Sequence, residues 1–256
     1  MEIRDNRNHR SVTMKRLASL LAALLLVLAA APAPAADLLL AQAANFTPAM
    51  EEIIPAFEKA TGLKAEATYT STGKLYGQIV SGAPFDILLA ANEDTPAKLL
   101  AEGRAEAPFV YATGRVVLWT LKKELCAMSW PEAVRASAKV AIANVETAPY
   151  GTASMKAMQA VGLWDEVQPV LVFGQNISQP FQFAASGAAD AGFCALSSTF
   201  TPEGAKGCFL EVPEAPKVVQ AACVLTSAPN PEAARRFVEF LGTPEVAAIK
   251  AKYGYE

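Results

Sequence analysis

The chain has 256 residues, 22 of them Lys or Arg and 25 Asp or Glu, for a net charge of −3. That balance excludes the basic surface that nucleic acid binding needs. The single histidine, His9, lies within the first 35 residues. A chain cut after Ala35 therefore has no imidazole for a Ser-His-Asp or Cys-His nucleophile, or for a zinc site built on histidine.

Those 35 residues read as a secretory signal peptide. Lys15 and Arg16 precede an apolar run over 17–31, and Ala33-Pro34-Ala35 supplies small residues for cleavage. The run is shorter than the roughly 20 residues of a membrane span. Met14 opens a tidy form of the same signal, so Met1 and Met14 are both candidate starts. Cleavage after Ala35 leaves 221 residues and removes five basic and two acidic side chains, giving 17 against 23 and a net charge of −6. No cysteine lies near the cleavage site to carry a lipid, so the expected product is a free periplasmic protein. Its four cysteines, Cys126, Cys194, Cys208 and Cys223, allow three full pairings. The sequence does not choose among them, nor between disulfides and buried thiols.

Strand and helix patterns then alternate. A buried strand is expected over 38–43. Thr47-Pro48 starts a helix with Met50, Ile53, Ile54 and Phe57 on one face, kinked at Pro55 and ended at Thr61-Gly62. A strand over 64–70 leads to a helix opened by Thr72-Gly73 and stopped near 81–84. Further strands are expected over 85–91, 115–121, 140–144, 170–173, 191–196 and 218–226. Helices are expected over 93–102, 131–137, 151–161, 179–185, 231–241 and 244–253. Repeated β-α-β order predicts an α/β protein with largely parallel sheets and helices on both faces. In such sheets ligands bind beyond the carboxyl ends of the strands.

Four positions fall at those ends, each between a strand and a helix start. Asn45 offers a side-chain amide with two donors, and Thr72 a hydroxyl and a backbone N–H. Tyr150, before Gly151, and Ile177, after Asn176, offer backbone N–H groups. A helix start carries unpaired N–H groups and a partial positive charge, so several converging starts form an anion site without a charged side chain. Taken singly, each residue is an ordinary cap or packing residue; together they predict a site for a small oxyanion.

Several stretches resemble the molybdate-binding proteins of bacterial ABC importers: Ala43-Ala44-Asn45-Phe46, Ser71-Thr72-Gly73-Lys74-Leu75-Tyr76-Gly77-Gln78-Ile79, Gly82-Ala83-Pro84-Phe85-Asp86, Ala148-Pro149-Tyr150-Gly151, Ser186-Gly187-Ala188-Ala189-Asp190 and the closing Lys250-Ala251-Lys252-Tyr253-Gly254-Tyr255. The resemblance spans essentially the whole chain after residue 35. It implies a two-lobed periplasmic binding protein fold of type II, each lobe a mainly parallel sheet flanked by helices. Residues 36–116 with 225–256 would form lobe 1, and 117–224 lobe 2. Molybdate, with tungstate, would bind in the cleft between them. Asn45 and Thr72 would contribute from one lobe and the N–H groups of Tyr150 and Ile177 from the other. The closed form of a monomer would deliver the anion to an inner-membrane permease. No cofactor is implied, and the protein would not be an enzyme. Some members carry a tyrosine where this chain has Ala195, so that contact is absent here.

The chemistry agrees. Molybdate, tungstate and sulfate carry no proton near neutral pH and only accept hydrogen bonds. Phosphate keeps a proton and benefits from a carboxylate acceptor, which none of the four positions supplies. The alternatives are a binding protein for sulfate or another oxyanion, an anion sensor with the same site, and an exported hydrolase built on Lys74 or Asp190.

Overall fold

Mostly apolar runs form the inner strands, because a strand covered on both faces has no solvent side to mark with alternating polar residues. β1 (Leu38–Ala43), β3 (Ile87–Leu89) and β5 (Val116–Thr120) are of this kind, and Leu39 alone among their residues is not fully buried. The computed structural model describes residues 36–256; the expected signal peptide, residues 1–35, lies outside them.

Among the described residues, ten strands form two five-stranded sheets. The first sheet runs in the order β2 (Ala65–Thr70), β1, β3, β10 (Val218–Val224) and β4 (Phe109–Gly114). The second runs β7 (Leu171–Gly174), β6 (Val140–Ala143), β8 (Ala191–Ala195), β5 and β9 (Cys208–Glu211). In each sheet one strand opposes the other four, β10 in the first and β5 in the second. Each reversed strand is the one the chain enters on crossing from the other sheet, through Arg115 or through 212–217. β10, which the sequence reading groups with lobe 2, pairs with β3 and β4.

Helices cover both faces of both sheets. They are α1 (Thr47–Thr61), α2 (Thr72–Val80), α3 (Asp94–Ala101), α4 (Trp130–Ala136), α5 (Pro149–Ala160), α6 (Ser178–Ala185), α7 (Pro231–Leu241) and α8 (Pro244–Lys252). α1 is continuous across Pro55. Alternate strand residues face different cores, as the two-residue period requires. Leu40, Ile87 and Leu89 pack with Phe57 and Phe237, while Ala41, Leu88 and Cys223 pack with Leu75, Ile79 and Leu99. In the second sheet Leu118, Ile142 and Phe193 join Trp130 and Met158, and Val117, Trp119 and Cys194 join Phe181. This is a two-lobed α/β fold.

Two strands have no counterpart in the sequence reading. β4 passes into β5 with only Arg115 between them, so no turn residues separate the two. β9 is four residues long, lies at a sheet edge, and is only partly covered. Of the cysteines, Cys126 and Cys208 form a disulfide that joins the turn Leu125–Ala127 to β9. Cys194 and Cys223 are buried free thiols, with burial raising both pKa values.

Candidate functional site

Four strand ends deliver the site. After β1 the turn Ala44–Phe46 carries the chain into α1, and the Thr47 hydroxyl donates to the Ala44 carbonyl at 2.8 Å. Phe46 anchors this turn; it is fully buried against Tyr111 and Tyr255 at ring separations of 5.1 and 4.6 Å. After β2, Ser71 precedes the first residue of α2, Thr72. After β6, Asn144 Oδ1 accepts the N–H groups of Glu146 and Thr147 at 2.9 and 3.0 Å, turning the chain into α5. After β7, Asn176 Oδ1 accepts from Ser178 and Gln179 at 3.0 and 3.3 Å, opening α6. Both asparagines are side-chain turns of the kind that start helices.

These turns meet at one cavity of about 10 Å3. Asn45, Thr72, Tyr150 and Ile177 all line it, together with Ala43, Ala44, Thr70, Ser71, Ala91, Ala148 and Pro149. The four residues named from the sequence are thus brought together, and no lining residue is charged. Tyr150 is the second residue of α5, where a backbone N–H has no intrahelical acceptor. Gly151 lets this helix start so close to the sheet, since a Cβ there would stand 2.5 Å from the Ala143 carbonyl and 2.7 Å from that of Asn144.

Hydroxyl orientation adds donors. Thr72 Oγ1 accepts from the Ala91 N–H at 3.0 Å, which leaves its own proton to donate elsewhere. Ser71 stands at the N-cap of α2 yet makes no capping bond, and its buried Oγ has no partner. A buried orphan hydroxyl is costly unless something meets it. Ser71 lies in a stretch singled out by the sequence, where the site role falls to Thr72 alone. A helix start needs only one capping residue, and the redundant Ser-Thr pair was the available signal.

The Tyr150 side chain points away from this role. Its hydroxyl lies 3.4 Å from Gln220 Nε2, in a buried network with Asn45, Tyr111 and Tyr255. Burial, with the nearby Tyr255 and Tyr111 hydroxyls, raises Tyr150 well above the ordinary phenol value, and burial pushes Tyr255 up to about 12. Both therefore stay neutral. The Asn45 side chain also faces this network: Nδ2 donates to Gln220 Oε1 at 2.7 Å and to Tyr255 OH at 3.2 Å.

The two lobes touch around the cavity. The Gly73 N–H donates to the Thr147 carbonyl at 2.9 Å, the Ser178 hydroxyl to the Ala44 carbonyl at 3.1 Å, and the Ser197 hydroxyl to the Asn45 carbonyl at 2.7 Å. Ala195 ends β8 just before the turn that holds Ser197. Beside the cavity lies a wider, open cleft of about 500 Å3 that shares Thr72, Ala91 and Pro149 with it.

The residues weighed for hydrolysis have other partners. Lys74 reaches across to Gln175. Asp190 pairs with Lys122 at 2.7 Å and accepts from the N–H of Ala138 at 2.6 Å and of Lys139 at 3.1 Å. Among the described residues, no group of three His, Cys, Asp or Glu is arranged to hold a metal ion.

The profile of bacterial extracellular solute-binding proteins matches residues 38–256. The chain belongs to that family. Among solute-binding relatives, it is 36% identical over 228 residues to the molybdate-binding protein ModA of Rhodobacter capsulatus, covering 88% of this chain and 90% of that one. It is 37% identical over 251 residues to ModA of Azotobacter vinelandii, covering 96% and 98%. The solved structure of the Azotobacter vinelandii periplasmic molybdate-binding protein superposes with a TM-score of 0.80 at 31% identity, over 86% of this chain and 98% of that one.

Proposed function

We propose that this chain is the solute-binding component of an ABC importer, taking up molybdate, and tungstate with it, in the cavity between its lobes. The observation that carries this reading is a cavity lined by four helix starts, with Ser71 and Thr72 among its residues and no charged side chain. The relatives named for molybdate binding support the choice of anion. Asn45, Thr72, Tyr150 and Ile177 hold the oxyanion in this reading, and Ser71 adds its free hydroxyl. Each hydrogen bond to a charged partner contributes about 1.5–3 kcal/mol, so a handful, less desolvation and ordering costs, gives tight binding. The anion is cargo, and no resident cofactor takes part. Donors from both lobes must meet one anion, so binding couples to closure about the crossing strands. The closed monomer then presents its anion to a permease in the inner membrane, with the binding protein itself in the periplasm.

Calorimetric titration of the chain beginning at Ala36 with molybdate, tungstate, sulfate and phosphate tests this. One-to-one binding of the first two, with the others silent, is the expected result. Ser71→Ala and Thr72→Val should each weaken it about tenfold or more. Preference for sulfate would move the assignment to another oxyanion, and silence toward all four would overturn it.

A further inference from the structure

The polar residues beneath the cavity form a buried network whose direction its heavy atoms leave open. As placed, Asn45 Nδ2 donates to Gln220 Oε1 at 2.7 Å, and Tyr111 donates to the same oxygen at 3.1 Å. In this arrangement the Tyr150 hydroxyl only accepts, from Asn45 and from Gln220. Asn45 Oδ1 is buried with no partner at all. An unpaired carbonyl oxygen beside an anion would repel it.

A half-turn of both terminal amides exchanges their nitrogen and oxygen ends and moves no other heavy atom. Gln220 Nε2 then donates to Asn45 Oδ1 across the same 2.7 Å. Tyr111 accepts from Gln220 and donates to the Ala90 carbonyl at 3.3 Å. Tyr150 donates to Gln220 Oε1 at 3.4 Å. Ser197 already satisfies the Asn45 carbonyl at 2.7 Å, so the Tyr255 hydroxyl, now 2.6 Å from that carbonyl, is free to turn toward Oδ1. The group left without a partner is now Asn45 Nδ2, a donor.

Resting on the oxyanion reading above, we propose that Gln220 is a positioning residue for anion selection, setting which end of the Asn45 amide is offered to the ligand. Asn45 lines the cavity and Gln220 does not, so Gln220 acts through Asn45. The donor end suits an anion with no proton, and the acceptor end suits one that keeps a proton. The hydroxyls of the network hold their protons because burial raises Tyr111 and Tyr150. The direction is therefore set by the amides and the ligand, with no ionisation.

The test is a double-mutant cycle with Gln220→Met, which keeps the bulk and removes both amide ends, and Asn45→Ala. Molybdate affinity is read by calorimetry, and thermal melts report folding. Each single variant should lose about tenfold or more, and the double variant should be no weaker than the worse single one within about threefold. Independently of any variant, the side-chain NH2 resonances of both Asn45 and Gln220 in the native chain should shift when molybdate is added. Losses that multiply, a Gln220→Met protein that binds like the native one, or a Gln220 NH2 signal unmoved by molybdate would overturn the proposal and leave the oxyanion reading standing. A native chain silent toward both molybdate and tungstate would overturn both.

Discussion

The backbone N–H of Gly73 donates to the carbonyl of Thr147 at 2.9 Å, and so joins the first turn of α2 in one lobe to the turn before α5 in the other. A Cβ on Gly73 would meet Thr147 Cα at 3.1 Å and its carbonyl oxygen at 3.2 Å, so a branched side chain there props the lobes apart. Gly73→Val should weaken molybdate binding about tenfold or more and leave the thermal stability of the ligand-free protein nearly unchanged. Titration with small-angle scattering checks this: the variant should stay extended when the anion is added, whereas the native chain should contract.

Anion affinity should be independent of pH between about 6 and about 9, because the proposed donors are backbone N–H groups, the Asn45 amide and aliphatic hydroxyls, which do not titrate there. The neighbouring phenols are held high by burial. A site built on lysine would weaken as that range is climbed. Tungstate titrations at several pH values decide the matter. Stability has its own acid limb. Lys122, followed by the N–H groups of Lys139 and Ala138, lowers the Asp190 pKa below 3.8. Its contribution is therefore complete above that value and is lost as pH falls through the lower folded one. Asp190→Asn should flatten that part of the acid unfolding profile.

The Cys126–Cys208 disulfide joins residues 82 positions apart in the sequence. Reduction, or Cys126→Ser with Cys208→Ser, should cost about 2–4 kcal/mol of stability by freeing the unfolded chain. Neither cysteine lines the cavity, so molybdate affinity should not change. Urea unfolding and titration, each with and without reductant, separate the two effects.

Gly114 stands under the Tyr150 hydroxyl, which an added Cβ would meet at 2.0 Å. Gly114→Ala should destabilise by about 1–3 kcal/mol through overpacking. Adding Tyr150→Phe removes the clashing oxygen and should restore part of that loss. Recovery measured by urea unfolding would place the strain at this contact; no recovery would place it at Gln220 or Tyr255, the other near neighbours.

Most helices were legible because their signals are local. Thr72-Gly73 opens α2, and Pro231 and Pro244 open α7 and α8. β4 and β9 were not legible, since one lacks a turn after it and the other is a short edge strand whose partner lies far away in the chain. The cavity was anticipated through residues at helix starts, and the structure brings all four of them to it. Ser71 was passed over because a cap and a ligand hydroxyl look alike in one dimension. Gln220 was invisible because its neighbours Asn45, Tyr111 and Tyr150 are scattered along the chain.

By itself the sequence determined the alternation of strands and helices, the absence of histidine after residue 35, and the neutral, donor-rich turns at Asn45, Thr72, Tyr150 and Ile177. Those properties follow from neighbours within a few residues, through periodicity, capping and backbone N–H groups left free at helix starts. Only the tertiary structure decided that β10 joins the first sheet, that Cys126 pairs with Cys208, and that the Asn45 side chain meets Gln220, 175 positions away. Such choices depend on which distant segments are packed together, and no local pattern carries that information.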